Sequence, residues 1–454
     1  MKLLPLLVAG LLVAVAAVHF TAEPDLTAQT LPTGRISYPS GAPTGVVMLI
    51  SDAGGWSDRE GAVAKSLSAE GAVVVGIDLP GYYDALRRQK GDCLYLVSEI
   101  EDLSRQLHRR ARISSYHPPL VAGLGDGATL ALAIAAQTPN STIAGTIAVD
   151  PQAVIPLSTV LCTPAPKSPA ADGIVYGLTA GDLPNPVEVV FTAAAGETGL
   201  AHVAQLKQTH PDLAVLKTES PAGDALGHAL SVAFRSLAQT ATPLDLPVVP
   251  LEVRAQHNVM AVIYSGDGGW RDIDQKLAGH LKDEGIPVVG VDALRYFWAE
   301  KSPAETAADL SRIIATYRKR WNVDRVLLIG YSFGANILPA TYRLLPEADR
   351  QSVALLSLLA LSHNADFEIA VTGWLGVEGT GKHGDPVDDL KEIEPHKIQC
   401  IHGIAEDDSA CPDVADIAGA QVLTRPGGHH FDGNYKVLSD LIVERSRALS
   451  SPMM

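Results

Sequence analysis

The chain has 454 residues, of which 47% are hydrophobic and 19% are charged. This composition is typical of a globular protein with a substantial interior, and the length suggests more than one domain. The formal net charge of −16 argues against nucleic-acid binding, which needs a basic surface, and against simple electrostatic docking on anionic lipid.

The N-terminus has Lys2 followed by an apolar run from Leu3 to Val18 with several alanines near its end. The pattern predicts a secretory signal peptide over residues 1–22, because the run is short for a membrane span. The alternative is an uncleaved anchor. We therefore expect the mature protein to be exported.

Four cysteines suit an oxidising compartment. Cys400 and Cys411 bracket a short loop that a disulfide could close, which leaves Cys93 and Cys162 as the second pair. No C-x-x-C motif or His/Cys cluster indicates a metal site, and we predict no cofactor.

Apolar runs and helical patterns alternate from residue 46 onwards. A buried strand at residues 46–50 is followed by a glycine-rich loop ending at Trp56, a helix at 58–70 and a second buried strand at 72–77. This alternation predicts an α/β fold with a mostly parallel sheet.

The same unit recurs in the second half of the chain, as a strand at 259–264, a loop ending at Trp270, a helix at 272–284 and a strand at 287–291. One constant offset, without gaps, aligns Trp56 with Trp270 and Asp78 with Asp292. We predict two related domains, at residues 23–243 and 247–454, with a stiff linker in the proline-rich stretch 241–250.

The second domain contains Gly-Tyr-Ser-Phe-Gly334 between a buried strand at 326–329 and a helical pattern. This is the G-x-S-x-G nucleophile elbow in its expected context, in which Ser332 lies on a strained turn above the sheet. The backbone N–H of Phe333 then points at an oxyanion formed beside Ser332. The alternative is a buried serine in a glycine-rich turn.

At the corresponding place the first domain has Gly-Leu-Gly-Asp-Gly127 after a strand at 120–124. Either the turn shifts by one residue, to Asp126, or Gly125 occupies the nucleophile position. Neither residue supplies a hydroxyl. We therefore expect a degenerate first domain that packs against the second.

In the α/β-hydrolase order an acid and then a histidine follow the serine. The loop after the predicted strand at 398–402 provides the acid, and Asp408 fits best because it shortly precedes a Cys-Pro step. Asp407 is the next candidate and Asp366, in an earlier loop, is a third.

The loop after the last predicted strand, at 421–424, contains Gly-Gly-His-His430. We predict His429 as the general base, with His430 as the alternative. The second oxyanion donor should come from the loop after the first strand of this domain, where Asp267 and Gly268 are the candidates. A tight structural turn is the alternative interpretation of that loop.

These residues together predict two tandem α/β-hydrolase-like domains with mostly parallel sheets, the first degenerate. The second domain carries a Ser332–His429–Asp408 triad. Its expected chemistry is attack by Ser332, an acyl-enzyme and then hydrolysis by water.

With these motifs the chain resembles the VirJ/AcvB family of bacterial periplasmic proteins, and its two-domain length is similar to AcvB. The resemblance rests on Gly-Asp-Gly-Gly-Trp270, Gly-Tyr-Ser-Phe-Gly-Ala-Asn336, Thr-Gly-Trp-Leu-Gly376 and Gly-Gly-His-His-Phe431. It implies a periplasmic hydrolase that releases lysine from lysyl-phosphatidylglycerol, so the partner would be an aminoacylated phospholipid at the membrane surface.

A lysyl ester carries two ammonium groups, which an acidic protein attracts. Asp267, Asp292 and Asp432 are candidate ammonium partners because they lie near the motif loops. The alternatives are a serine hydrolase of another cell-envelope ester or amide, and a non-catalytic scaffold that docks on a secretion apparatus or another envelope protein.

Overall fold

The computed structural model describes residues 26–238, 244–369 and 381–449. The predicted signal peptide, residues 241–243 at the start of the predicted linker and the motif ending at Gly376 lie outside these residues. Within the described ranges, no helix is both long enough and apolar enough to cross a membrane.

The first domain is built around a seven-stranded sheet with strand order β1-β3-β2-β4-β5-β9-β10. Its elements in chain order are β1 (Ile36–Ser37), β2 (Gly45–Ile50), α1 (Asp58–Ala69), β3 (Ala72–Ile77), α2 (Leu79–Arg87), α3 (Val97–Arg110), β4 (Leu120–Leu124), α4 (Asp126–Ala135), β5 (Gly145–Val149), β6 (Val154–Ile155), β7 (Lys167–Ala170), β8 (Gly173–Tyr176), β9 (Val187–Phe191), α5 (Glu197–Thr209), β10 (Ala214–Lys217) and α6 (Ala222–Ala238). Only β1 runs antiparallel within this sheet.

The second domain repeats this arrangement with strand order β11-β13-β12-β14-β15-β16-β17. Its elements are β11 (Val248–Leu251), β12 (Val259–Tyr264), α7 (Ile273–Asp283), β13 (Val288–Val291), α8 (Ala293–Tyr296), α9 (Pro303–Trp321), β14 (Arg325–Tyr331), α10 (Phe333–Arg343), α11 (Glu347–Ser352), β15 (Val353–Leu359), α12 (Pro386–Leu390), β16 (Ile398–Gly403), α13 (Cys411–Val414), β17 (Gln421–Arg425) and α14 (Tyr435–Ala448). Again only the first strand is antiparallel.

Helices cover both faces of each sheet, which explains why the strands are apolar without alternation. In β12, Ala261 and Ile263 pack with α7 and α14, whereas Val262 and Tyr264 pack with α9 and α10. All six residues of β12 are buried. The predicted tandem α/β fold with mostly parallel sheets is confirmed, and the predicted strands agree with the observed ones to within two residues at each end.

The first domain also contains a small sheet that the sequence patterns did not predict. Strands β6, β8 and β7 pair antiparallel within residues 154–176. Cys162 lies within this segment and forms a disulfide with Cys93, and the Cys400–Cys411 disulfide joins β16 to α13. Both disulfide pairs are therefore those predicted.

The two domains pack against each other through aromatic and charged side chains. Tyr116 of the first domain is buried in the core cluster of the second, with its ring centroid 5.1 Å from that of Trp298. The Trp298 indole donates to the Ile113 carbonyl at 3.1 Å, and the Arg109 guanidinium lies 3.9 Å from the Trp298 ring centroid. Because Trp298 is 1% exposed, this contact is an interior one.

A tryptophan–glycine contact holds the loop after the first parallel strand in each domain. A Cβ atom on Gly290 would lie 2.4 Å from the Trp270 ring, and one on Gly76 would lie 2.6 Å from the Trp56 ring. Real Cβ atoms do not approach so closely. The repeated Gly-Gly-Trp therefore anchors the loop in both domains, whatever each domain's chemistry.

We expect Gly290→Ala to lower the free energy of unfolding of the second domain by about 1–3 kcal/mol, because the added methyl overpacks the Trp270 contact. Urea unfolding followed by tryptophan fluorescence measures the change. The control is Gly279→Ala, in α7, where a Cβ meets no atom within 4 Å. Alanine at that helical position should be neutral or stabilising. Equal unfolding curves for Gly290→Ala and the unmodified chain would contradict the expectation.

Candidate active site

Ser332 lies on a sharp turn between β14 and α10, with φ 52° and ψ −118°. Such a backbone is strained for a residue with a side chain, and strain of this kind recurs at functional sites. A Cβ on Gly330 would lie 2.4 Å from the Gly334 carbonyl oxygen, and one on Gly334 would lie 2.2 Å from that of Tyr264. Strand and helix therefore approach closely enough to require glycine on both sides of the serine.

His429, in the loop after β17, lies between Ser332 and a carboxylate. Its Nε2 is 2.9 Å from Ser332 Oγ, and its Nδ1 is 2.6 Å from Glu406 Oε1. An ionised carboxylate only accepts hydrogen bonds, so Nδ1 carries the proton and Nε2 accepts from the hydroxyl. This is the arrangement in which a histidine acts as general base toward a serine.

The carboxylate that contacts His429 is that of Glu406, and not that of the predicted Asp408. Glu406 accepts from His429 and has a side chain only 4% exposed, whereas Asp407 and Asp408 are exposed. The Gly403 N–H also donates to Glu406 Oε2 at 3.3 Å. Asp408 acts on His429 only through its charge.

Backbone pairing decides which of the three adjacent carboxylates reaches the imidazole. The Ala405 N–H donates to the Gly427 carbonyl at 3.0 Å, which places Glu406 beside the histidine loop. The chain then turns away, because the Ala410 N–H donates to the Leu361 carbonyl at 2.7 Å. Asp408 lies on the part of the loop that returns toward β15.

The remaining alternative residues have other partners. Asp366 accepts from the N–H groups of Gly381 and Lys382, at 3.1 and 3.0 Å, and therefore fixes a loop. His430 Nδ1 lies 3.0 Å from the Tyr331 hydroxyl. Neither is placed to serve Ser332.

The hydrogen bond from Glu406 raises the pKa of His429 above its ordinary value. Burial acts in the opposite direction, and the negative charges of Glu406, Asp408 and Asp267 add to the increase. A raised pKa stabilises the imidazolium that forms when His429 accepts the serine proton. It also means that the neutral, active form of His429 is lost on acidification at a higher pH than for a free histidine.

The degenerate domain indicates which backbone N–H groups could serve as oxyanion donors. In the first sheet Ile50 pairs with Gly123, and in the second Tyr264 pairs with Gly330. This register places Gly125 at the position of Ser332, and its φ of 53° and ψ of −119° match those of the serine. Gly125 is therefore at the nucleophile position, which was the second of the two predicted alternatives.

The side chain of Asp52 occupies the space beside Gly125. Its Oδ1 accepts the N–H of Asp126 at 3.1 Å and the N–H of Ala53 at 2.8 Å. A Cβ on Gly125 would lie 2.1 Å from that same oxygen. An anionic oxygen thus accepts from two convergent N–H groups next to the vestigial nucleophile position, as an oxyanion does in an acyl-transfer site.

Aligning the two repeats identifies the corresponding two N–H groups in the second domain. Ala53 corresponds to Asp267 and Asp126 corresponds to Phe333, whereas Asp52 corresponds to Gly266, which has no side chain to fill the space. The geometry therefore favours the N–H groups of Asp267 and Phe333 as oxyanion donors. Of the two predicted loop candidates, Gly268 instead lies against the Arg271 guanidinium.

Residues 258–449 match the family model described as bacterial virulence protein (VirJ). The second domain is therefore similar to VirJ-family proteins over this range. It contains Ser332, Glu406 and His429, so the whole triad lies within the matched VirJ region. A search of curated proteins finds no match. No group of three or more His, Cys, Asp or Glu side chains suited to a metal ion occurs in the described part of the chain.

Several solved structures are similar to about half of the chain. Est1E from Butyrivibrio proteoclasticus with bound ferulic acid shows 10% identity and a TM-score of 0.33, covering 45% of this chain and 96% of that one. MenH from S. aureus shows 13% identity and a TM-score of 0.35, covering 45% and 99%. A putative dienelactone hydrolase from Klebsiella pneumoniae shows 17% identity and a TM-score of 0.30, covering 45% and 91%. Similarities this low carry no information about activity.

We expect Glu406→Gln to lower kcat on a soluble ester by about 10⁴-fold, because an amide at this position can donate to Nδ1 and favour the wrong tautomer. Asp408→Asn is the matched control and should retain nearly full activity. Steady-state kinetics of both variants compares the two carboxylates. The acid limb of the pH–rate profile should also move to lower pH in Glu406→Gln, since the interaction that raises the His429 pKa is lost. A larger loss of kcat in Asp408→Asn than in Glu406→Gln would instead favour Asp408 as the acid that acts on His429.

Gly266→Asp should place a carboxylate in the oxyanion position of the second domain, as Asp52 does in the first domain. We expect kcat to fall by about 10²–10³-fold while the domain remains folded. Gly266→Ala controls for crowding, because its Cβ lies at the same 3.3 Å from the Tyr331 ring without adding a charge. Kinetics together with circular dichroism measures both effects. Equal losses in the two variants would contradict the assignment of the donors.

Proposed function

We propose that the second domain is a serine hydrolase of carboxylic esters that works through an acyl-enzyme. The observation that carries the proposal is the continuous hydrogen-bonded chain from Ser332 Oγ through His429 to the largely buried Glu406. A structural serine needs neither a strained backbone nor an imidazole polarised by a carboxylate.

In the acylation step Ser332 Oγ attacks the ester carbonyl carbon while His429 Nε2 accepts the hydroxyl proton. The carbonyl oxygen becomes an oxyanion, which accepts from the N–H groups of Asp267 and Phe333. Glu406 stabilises the imidazolium through Nδ1. Collapse of the tetrahedral intermediate breaks the ester C–O bond, and His429 returns its proton to the leaving alcohol oxygen.

In the deacylation step water replaces the alcohol. His429, neutral again, accepts a proton from the water as its oxygen attacks the acyl carbon of the Ser332 ester. The same two N–H groups stabilise the second oxyanion. Release of the carboxylic acid restores the Ser332 hydroxyl, with its proton supplied by His429.

The substrate we propose is the aminoacyl ester of lysyl-phosphatidylglycerol, which is cleaved to lysine and phosphatidylglycerol. Two observations support it: the VirJ-family match, and the negative charges of Asp267 and Asp408 close to His429. These exposed or half-exposed carboxylates suit a cationic acyl group. We do not assign Asp292 as an ammonium partner, because it is only half-exposed and already accepts the Arg295 N–H at 3.1 Å.

We further propose that the protein resembles AcvB in acting from the periplasm on lipid at the membrane surface. The predicted signal peptide and the two disulfides support an oxidising, extracytoplasmic location. The lipid substrate is then presented by the outer leaflet of the inner membrane.

The test uses purified mature protein and vesicles of phosphatidylglycerol that contain lysyl-phosphatidylglycerol. We expect release of free lysine, measured by mass spectrometry, and labelling by a fluorophosphonate probe. Ser332→Ala should abolish both, with kcat reduced by about 10⁶-fold. Ser220→Ala, which removes an exposed serine of the first domain, is the control.

The outcomes of this test distinguish an error in the proposed substrate from an error in the proposed enzymatic activity. Labelling at Ser332 and hydrolysis of a soluble ester without release of lysine would refute the lipid substrate and leave a hydrolase of another envelope ester or amide. Folded protein that neither reacts with the probe nor hydrolyses any ester would refute the enzyme and favour a scaffold that docks on a secretion apparatus or another envelope protein.

A further inference from the structure

One side chain connects the first domain to the oxyanion loop, which we define as residues 265–270. Arg271 follows this loop directly, and its guanidinium lies against Gly268. A Cβ on Gly268 would be 2.8 Å from Arg271 Nη2 and 3.0 Å from Nε. Gly268 follows Asp267, the residue whose N–H faces the oxyanion position, so the guanidinium supports the loop one residue from that donor.

The other side of the guanidinium is held by the first domain. Arg271 Nη1 donates to the two carboxylate oxygens of Glu101 at 3.1 and 3.3 Å, and to Thr142 Oγ1 at 3.0 Å. The side chains of Glu101 and Arg271 are 12% and 21% exposed, so water screens this ion pair less than it screens a surface pair. Glu101 is itself fixed within α3 by an ion pair with Arg105, whose side chain is 4% exposed.

Comparison of the two repeats indicates that Arg271 does not cap the helix that follows it, α7. The corresponding residue of the first domain is Ser57, which caps α1 and forms a capping box with Glu60. In the second domain, α7 begins after Asp272, which has a φ of 43°, and no side chain caps it. Replacing a capping serine normally destabilises a helix. The arginine therefore fits a role across the domain boundary better than a role in α7.

We infer that Glu101 and Arg271 are positioning residues for ester hydrolysis: the first domain, through this pair, holds the oxyanion loop so that the Asp267 N–H points at the oxyanion. This inference rests on the proposed function and assigns the degenerate domain a part in it. Oxyanion donors are effective only when they are preorganised, and a misplacement of about 1 Å can lower the rate by about a hundredfold.

The test compares Arg271→Gln with Arg109→Gln in the full mature chain. Both arginines cross the same interface, but Arg109 donates to the carbonyls of Trp298 and Ile369, outside the oxyanion loop. On a soluble ester we expect Arg271→Gln to lower kcat about tenfold with KM unchanged, which is less than the loss of a whole donor. Arg109→Gln should change kcat less than twofold.

Glu101→Gln tests the contribution of the first domain itself. It should lower kcat to a similar extent, and the double variant Glu101→Gln/Arg271→Gln should be no slower than Arg271→Gln alone, because the two residues act through one contact. Additive losses, or an unchanged kcat in Arg271→Gln, would overturn the inference. So would an equal loss in Arg109→Gln, since general domain docking would then explain the effect.

Amide hydrogen exchange supplies a readout that does not depend on turnover. Peptides covering residues 265–270 should exchange faster in Arg271→Gln and Glu101→Gln than in the unmodified chain, and Arg109→Gln should leave them unchanged. Unchanged exchange in both loop variants would overturn the inference even if kcat fell. If the unmodified chain neither hydrolyses esters nor reacts with a fluorophosphonate, the proposed function fails, and the exchange rates alone decide whether the pair positions the loop.

Discussion

The hydrogen bond between His429 Nε2 and Ser332 Oγ is the interaction on which the proposed chemistry of this protein depends. The two residues are far apart in sequence and meet because β14 and β17 end at the same edge of one parallel sheet. The serine reaches this edge on a strained turn that glycine neighbours permit, and the histidine is oriented by Glu406 from the loop after β16. Each of the three groups follows a different strand, so the order of strands in the sheet is what assembles the site.

The first domain preserves the geometry of a nucleophile elbow without its chemistry. Gly125 has the backbone conformation of Ser332, yet the carboxylate of Asp52 accepts the N–H groups that would otherwise face an oxyanion. The two N–H groups therefore already have a hydrogen-bond acceptor within the first domain. The duplication thus provides an internal reference: the degenerate domain indicates which N–H groups of the second domain converge beside Ser332.

Much of the architecture could be predicted from sequence. Continuous apolar runs identified the parallel strands, the ungapped repeat identified two domains, and the elbow motif identified Ser332, because these features depend on local periodicity and backbone sterics. The choice of acid could not be made in this way. Glu406, Asp407 and Asp408 are adjacent, and the pairing of Ala405 with Gly427 decides which one reaches His429.

Contacts between distant segments account for the other features that were missed. The antiparallel sheet of β6, β7 and β8 is made of strands of two to four residues, too short to show a clear pattern. The ion pair between Arg271 and Glu101 joins residues from different domains, so no local sequence pattern predicts it. The repeat alone aligns Asp52 with Gly266. That this difference affects the space beside the nucleophile position could be recognised only once the position of Gly125 was known.

A crystal structure of the chain after reaction with a fluorophosphonate would test the role of Ser332 directly, because the adduct mimics the tetrahedral intermediate. We expect phosphorus to be bonded to Ser332 Oγ, Glu406 to contact His429 Nδ1, and the phosphonyl oxygen to lie about 2.7–3.1 Å from the N–H groups of Asp267 and Phe333. An adduct on another residue, or a phosphonyl oxygen directed away from both N–H groups, would contradict this expectation.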